Sequence, residues 1–234
     1  MTQLLSADAL FVIRCVWAGR LGVSPHVFDG VGPVFVDWKT VPAAVVVRLG
    51  DATVVAAPER ALAVLRGLDA QQLLDPVSLV AVLEPEGPQL VGKARLSFLD
   101  SQTFSPHRTA TPREAAPADV EAVLSECSVD ECDESGLREM DALWVAGQSA
   151  GEPVAAAGYE IWDGGIAHVG LAVASGARRQ GLGAGVASAA VEHALSAGLV
   201  PQWRSAVENA ASESAGRRLG FVPLGEQIAV DLTA

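Results

Sequence analysis

The sequence is short of basic residues, of cysteine and of long apolar runs, and each shortage closes off a class of function. Sixteen Lys and Arg stand against 28 Asp and Glu, for a formal net charge of −12. Nucleic-acid binding depends on clustered Lys and Arg that displace counterions from phosphates, so no nucleic-acid partner is expected. No apolar run approaches the ~20 residues needed to span a bilayer. The N-terminus "MTQLLSADALFVIRCVW" carries Asp8 and Arg14 where a signal peptide would keep an uninterrupted apolar core. A cytoplasmic protein with no membrane partner is expected. The three cysteines, Cys15, Cys127 and Cys132, are odd in number and form no Cys-x-x-Cys pair. That pattern suits reduced thiols better than a disulfide framework or a zinc knuckle, and no metal is expected.

What is present is a globular composition, half of it hydrophobic over 234 residues, enough for one large domain or two small ones. Charge is nearly balanced through residue 110, and the acidity falls in 111–234. The change coincides with "DSQTFSPHRTATPREAAPAD", Asp100 to Asp119, which is rich in Ser, Thr, Pro and Ala and has little apolar periodicity. It reads as a linker, with the boundary in 101–111, between a domain over 1–100 and another over 112–234. In the first half "AAVVVRLGDATVVAAP" reads as two strands about a Gly50-Asp51 turn, and "ERALAVLRGLD" as an amphipathic helix. "DPVSLVAVL" reads as a helix capped by Asp75 with Pro76 at its first position, and "PQLVGKARLSFLD" as a strand. This is a small α/β domain without a dense cluster of His, Cys or carboxylates; His26 and His107 read as surface or packing residues. No repeat or low-complexity tract is present.

In the second half, "PADVEAVLSEC" reads as a helix, with Val120, Val123 and Leu124 on one face. "MDALWVAGQ", "EPVAAAGYEIW" and "IAHVGLAV" read as three strands joined by Ser149-Ala150-Gly151 and by Asp163-Gly164-Gly165, the latter a strong hairpin signal. The meander runs into "VASGARRQGLGAG", Val173 to Gly185. A helix over "GVASAAVEHALSAGLVP" follows, ended by Gly198 with Pro201 beyond. A strand, a glycine-rich bend and a helix N-terminus together make a site for phosphate, because the first helical amides lack a carbonyl partner and the macrodipole adds positive potential. Arg178 and Arg179 add charge, and Gly181 and Gly183 admit close approach to the main chain. The bend therefore reads as a pyrophosphate cradle. Gly176-x-x-x-x-Gly181 has the first spacing of a P-loop, but Leu182 and Gly183 occupy the Lys and Ser/Thr positions. Gly181-x-Gly183 fits a dinucleotide fingerprint poorly, since Val186 stands at its third position and no acidic residue lies about 20 residues on.

Arg178-x-x-Gly181-x-Gly183 after a strand ending at Val173 resembles the acetyl-CoA signature of the GNAT acetyltransferase superfamily. "ENAASESAGRRLGF" is similar to a second family segment, with Asn209, Ser212, Leu219, Gly220 and Phe221 in register. The resemblance covers roughly residues 110–234. It implies an α/β (α+β) fold with a mixed, mostly antiparallel sheet flanked by helices, preceded here by a small α/β domain whose pattern is compatible with a degenerate copy of the same fold. It further implies that the pantetheine arm of acetyl-CoA lies between two splayed strands against main-chain groups of Leu171, Ala172 and Val173. The loop of Arg178, Arg179, Gln180, Gly181, Leu182, Gly183 and Ala184 would wrap the diphosphate. Asn209 and Ser212 would sit near the arm, with Asn209 equally readable as a helix N-cap.

Two departures bear on catalysis. Many family members place a tyrosine general acid where this chain has Gly216, and a general-base glutamate where it has Ala167. The remaining candidates are Glu160 and His168 for a base and Ser212 for assisting the departing thiolate; His193, in mid-helix, reads as structural. The resemblance implies direct transfer of an acetyl group to an amine, without metal or covalent enzyme intermediate, by a monomer or homodimer. A non-catalytic acyl-CoA-binding sensor or interaction module is the rival reading. In "ECSVDECDESGLREMD", Glu126 to Asp141, seven acidic residues accompany one arginine. In the family's fold this segment borders the acceptor entrance, so a cationic small-molecule or peptide amine is the expected acceptor.

Overall fold

A computed structural model describes residues 4–147 and 151–233. The elements begin with α1 (Ala7–Leu21), β1 (Gly32–Asp37), β2 (Ala43–Leu49), β3 (Ala52–Ala57), α2 (Glu59–Leu65), α3 (Pro76–Val82) and β4 (Pro88–Phe98). They continue with β5 (Arg113–Glu114), α4 (Pro117–Leu124), α5 (Val129–Ser135), β6 (Ala142–Gly147), β7 (Pro153–Trp162) and β8 (Ile166–Val173). The last are α6 (Leu182–Ser196), β9 (Val200–Ala206), α7 (Ala210–Leu219) and β10 (Val222–Leu232). The chain divides into two compact units, each assembled from separate stretches. The first comprises Met1–Ile13, Ser97–Arg204 and Ala210–Val222; the second comprises Arg14–Leu96, Ser205–Asn209 and Pro223–Ala234.

In the second unit the strand order is β1-β3-β2-β10-β4. β1 pairs parallel with β3, while β2 pairs antiparallel with both β3 and β10. Inward residues of these strands, Val46, Val55, Ile228 and Val230, bury against Leu62 and Leu65 of α2 and Leu79 of α3. Each fully buried aliphatic side chain of this kind is worth about 1.5–3 kcal/mol of transfer free energy. α3 starts where its residues dictate: the Asp75 side chain accepts the Ser78 amide at 3.0 Å and Pro76 occupies the first position, where no amide is needed. The helix over Ala7–Leu21 had no periodic signal because it is apolar around its circumference, with Ile13, Val16 and Trp17 buried and Phe11 66% exposed.

In the first unit the order is β9-β8-β7-β6-β5. All neighbours are antiparallel except β8 and β9, which are parallel. The sheet is thus mixed and mostly antiparallel with helices on both faces, as expected. Asp163 and Gly164 have φ of 48° and 70°, the left-handed pair that closes the β7–β8 hairpin. The Ser149-Ala150 portion of the other expected turn lies outside the described residues. Alternation along β7 sends Ala155, Ala157 and Tyr159 to the face covered by α6, while Ala156 faces α4 with Val120, Val123 and Leu124. Alanines at these positions let the helices approach closely.

The two compact units do not divide at 101–111. That segment belongs to the first unit and is bonded throughout its length: Asp100 accepts the Ser6 amide at 2.7 Å, Ser105 N donates to Leu219 O at 2.9 Å, and His107 N donates to Ser188 Oγ at 2.8 Å. Arg108 pairs with Glu192, and Thr109 Oγ1 donates to Gly181 O at 2.7 Å. Two glycines make room for it. A side chain on Gly220, at φ 97°, would collide with the Thr103 carbonyl, and one on Gly185 would stand 2.7 Å from the Ala110 methyl. Composition marked the segment as polar and irregular, which it is; its anchoring is made by backbone and side-chain bonds to residues distant in the chain, which composition does not reveal. The end of the chain also departs from the expected 112–234 domain, because β10 pairs with β2 in the second unit.

Candidate functional site

The site is built where β8 outruns its parallel neighbour. β8 pairs with β7 from Ile166 to Val173, but with β9 only from Ile166↔Val200 to Val169↔Trp203. Gly170 to Val173 therefore have no β9 register partner, and an extended chain can lie along that edge as an added strand would. Leu171 sits on the α6 face and Ala172 on the α4 face, with Val173 at the mouth. Gly170 is required by close packing on the α4 face, where a Cβ would collide with the Ser135 carbonyl.

The chain then turns through 174–181. Ala174 N bonds Val154 O at 2.8 Å, Arg179 adopts φ 62°, and Gly181 caps α6 from φ 83°. The first intrahelical bond in this turn runs from Gly185 N to Gly181 O, at 3.0 Å. The amides of Leu182, Gly183 and Ala184 precede it, and the cap residue carries no side chain to satisfy them. This is anion-binding chemistry. Gly183 has an additional reason to be glycine, since its Cβ would stand 2.9 Å from Val173 Cγ2, where the helix start packs on the strand end. Gln180 Nε2 turns back to Gly176 O at 3.4 Å. Arg178 is engaged elsewhere: its Nε donates to Val173 O at 3.1 Å and its Nη2 to Glu131 at 2.8 Å. The Glu131 carboxylate raises the Arg178 pKa, and Glu131 itself is held below the usual carboxylate range by the Ser128 amide and by Arg178. Arg178 is thus an ion-paired residue in this state, while Arg179 is exposed.

Glu160 and His168 come together, because they are register partners on β7 and β8 and face away from α6. Glu160 Oε2 accepts from Trp162 Nε1 at 2.8 Å, the Trp162 and His168 rings stand 4.6 Å apart, and His168 Nδ1 lies 3.2 Å from Nε2 of fully buried Gln202. Ser212 is not with them. It lies on α7 on the opposite face, where its Oγ accepts from Trp203 Nε1 at 3.0 Å. Trp203 also packs 5.3 Å from the Phe221 ring and against Gly216. Asn209 falls in the second unit, one residue before α7. Ala167 is fully buried in the α6-side core, so that position offers packing rather than a base. His193 Nδ1 is 2.7 Å from the Tyr159 hydroxyl and its ring is 5.0 Å from Trp144, in keeping with a structural reading.

Three residues that matter here escaped sequence reasoning, Thr109, Gln202 and Trp203, while Glu131 read only as one of the acidic residues between Glu126 and Asp141 and not as the partner of Arg178. Of the three, only Trp203 carried a signal, as a large aromatic on the strand beside the missing tyrosine. A cavity of about 680 Å³ lined by Thr109, Pro112, Arg113, Ala146, Pro153 and Leu182 borders the glycine loop at Leu182. Among the described residues, no group of three His, Cys, Asp or Glu is placed to hold a metal, and no helix is long and apolar enough to cross a membrane.

Comparison with known proteins gives a consistent fold. Residues 108–221 match the Acetyltransferase (GNAT) family. A GCN5-related N-acetyltransferase-like protein from Streptococcus suis 89/1591 is 15% identical, with a TM-score of 0.53 over 95% of this chain and 100% of that one. A conserved protein of unknown function from Staphylococcus epidermidis ATCC 12228 is 17% identical, with a TM-score of 0.51 over 68% of each chain. A GCN5-related N-acetyltransferase from Kribbella flavida is 21% identical, with a TM-score of 0.50; the match covers 67% of this chain and 64%, just under two thirds, of that one. No curated protein matches the sequence.

Proposed function

Since residues 108–221 belong to the GNAT acetyltransferase family, we propose that this protein transfers an acetyl group from acetyl-CoA to an amine, and that the amine is cationic. The observation that carries the reading is the end of β9 pairing at Val169↔Trp203, directly before a loop that delivers the unpartnered first turn of α6. The free β8 edge suits the amides of a pantetheine arm, and the α6 amides with Arg179 suit its diphosphate. The donor supplies an activated thioester. The ammonium first gives up a proton to a base or water; the neutral nitrogen then bonds to the acetyl carbon as the carbon–sulfur bond breaks, losing its second proton while the thiolate gains one. Glu160 and His168, on the α4 face, would take a proton directly or through water, and the Ser212 hydroxyl, one helical turn before Gly216, would stand in for the absent tyrosine.

A cationic acceptor is supported by α5 and its flanks, where Glu126, Asp130, Asp133 and Glu134 are all exposed. An acidic rim concentrates cations and hastens their encounter, an effect that salt screens. The sensor reading keeps one specific observation in its favour: the positions of the family's tyrosine and glutamate are occupied by a packed glycine and a buried alanine.

The experiment has two parts. Thermal unfolding with CoA tests the site, with about 2.7 kcal/mol of stabilisation expected at 100-fold excess over the dissociation constant. Gly181→Glu should abolish the shift, and wild-type protein indifferent to millimolar CoA would refute enzyme and sensor together. Thiol release from acetyl-CoA across polyamines, lysine-rich peptides, neutral amines and protein N-termini then separates the two readings. Turnover favouring polycations and weakened by salt or by Asp130→Asn/Asp133→Asn/Glu134→Gln supports the proposal; binding without turnover on any amine supports the sensor.

A further inference from the structure

Arg178 occupies the position at which the acetyl-CoA signature begins, yet its guanidinium is engaged by protein groups. Nε is bonded to the Val173 carbonyl at 3.1 Å, and Nη2 stands 2.9 Å and 2.8 Å from the two oxygens of Glu131. Glu131 is held firmly. It sits in the first turn of α5, where its carboxylate accepts the Ser128 amide at 2.9 Å and its own amide donates to Ser128 Oγ at 3.3 Å. This reciprocal arrangement is a capping box, which satisfies two orphan donors at once. The carboxylate therefore has two tasks, one closing the start of α5 and the other restraining the arginine of the β8–α6 loop. Both members of the ion pair are partly exposed, at 42% and 39%, so a dissolved anion can reach the arginine.

We propose that Glu131 sets the donor affinity of this site by competing with the diphosphate for Arg178. The inference rests on the acetyl-CoA reading above. A diphosphate seated on the α6 amides offers Arg178 a multiply charged oxygen acceptor, which a guanidinium bonds in the same forked manner as a carboxylate. Binding exchanges one partner for the other, so part of the interaction free energy is consumed in breaking the Glu131 pair, and the displaced carboxylate leaves a negative charge at the edge of an anion site. Glu131 is thus an affinity-determining residue that acts through Arg178 without any need to touch the ligand.

Glu131→Gln is a clean test, because glutamine also closes a capping box but carries no charge. Titration calorimetry with CoA, and separately with inorganic pyrophosphate, is run on the wild type, Glu131→Gln, Arg178→Ala and the double variant. An exposed ion pair is worth roughly 0.2–1 kcal/mol, so Glu131→Gln should bind both probes roughly 1.4- to fivefold more tightly. Its melting temperature without ligand should fall by no more than the worth of that pair, about 4 °C at most, whereas a purely structural role would lower stability and affinity together. In the Arg178→Ala background the gain should shrink, since no partner remains to compete for. Unchanged or weaker binding by Glu131→Gln, or an equal gain in the Arg178→Ala background, overturns the inference. Wild-type protein that binds neither probe overturns the acetyl-CoA reading and this inference with it; wild-type binding combined with an inert Glu131→Gln overturns the inference alone.

Discussion

Substituting Gly216 by tyrosine would restore the residue type that many relatives use as a general acid, and the structure predicts that it will damage the protein instead. A Cβ on Gly216 would lie 3.1 Å from both Cδ1 and Cγ of Trp203 and 3.3 Å from its Cδ2. The indole has little freedom to retreat, being 4% exposed, bonded through Nε1 to Ser212 Oγ at 3.0 Å and packed 5.3 Å from the Phe221 ring. Overfilling a packed site costs about 1–3 kcal/mol, and losing the indole–hydroxyl bond adds ~1 kcal/mol. Removing a glycine from a helix interior returns roughly 0.5 kcal/mol or a little more. The net expectation is a loss of about 1.5–3.5 kcal/mol, which for a chain of this size lowers the melting temperature by roughly 3–14 °C. Urea denaturation of Gly216→Tyr, Trp203→Leu and the double variant tests the cause. If tyrosine and indole contend for one volume, the double variant is less destabilised than the two single losses combined, by about 0.5–3 kcal/mol of coupling. Strict additivity, or a Gly216→Tyr protein as stable as wild type, would show that Trp203 does not fill the tyrosine's place.

Two further tests address the frame around the site. The Arg113 guanidinium and the Ala116 amide hold the Asp119 carboxyl down to about 2 from its ordinary 3.8. A carboxyl whose folded value lies below its unfolded one contributes stability above the unfolded value and loses it as pH falls toward the folded one. Asp119→Asn should therefore flatten the stability curve between about pH 4 and pH 2 without steepening it elsewhere, as thermal melts at stepped pH would show; an unchanged acid slope would contradict the assignment. Gly185→Leu should lift residues 107–110 from α6, because even its Cβ would stand 2.7 Å from the Ala110 methyl and 2.9 Å from its amide nitrogen. Hydrogen exchange at His107, whose amide is bonded to Ser188, should accelerate while the β7 amides stay protected; unchanged protection at His107 would show that the segment is not anchored there.

Local rules were sufficient for most of the elements that carry the site. The Asp163-Gly164 turn, the Asp75-Pro76 helix start and the Gly198 helix stop each depend on a few neighbouring residues, so single-chain chemistry specifies them. The glycine loop before α6 was legible for the same reason, since its order of strand, αL glycine and helix start is written contiguously. Three things were not written locally. The segment 101–111 looks like a linker because its polar residues show no period, but Gly185 and Gly220, 75 and more residues distant in the chain, leave the space in which its backbone is held. The commitment of Arg178 to Glu131 joins a loop to a helix 47 residues earlier, and no spacing rule announces a pair made by packing α5 beside β8. The tyrosine's absence at 216 reads from the sequence as a gap in the catalytic set; only the folded chain reveals that the space is occupied, because the ring that fills it comes from β9 and reaches α7 by sheet–helix packing. The sequence by itself determined those turns, caps and helix stops and most of the strands and helices about the glycine loop, though not the helix Ala7–Leu21 or the strand Val222–Leu232. The tertiary structure decided which charges are paired, which glycines are needed for room and which side chains share a face, because those depend on distances between residues far apart along the chain.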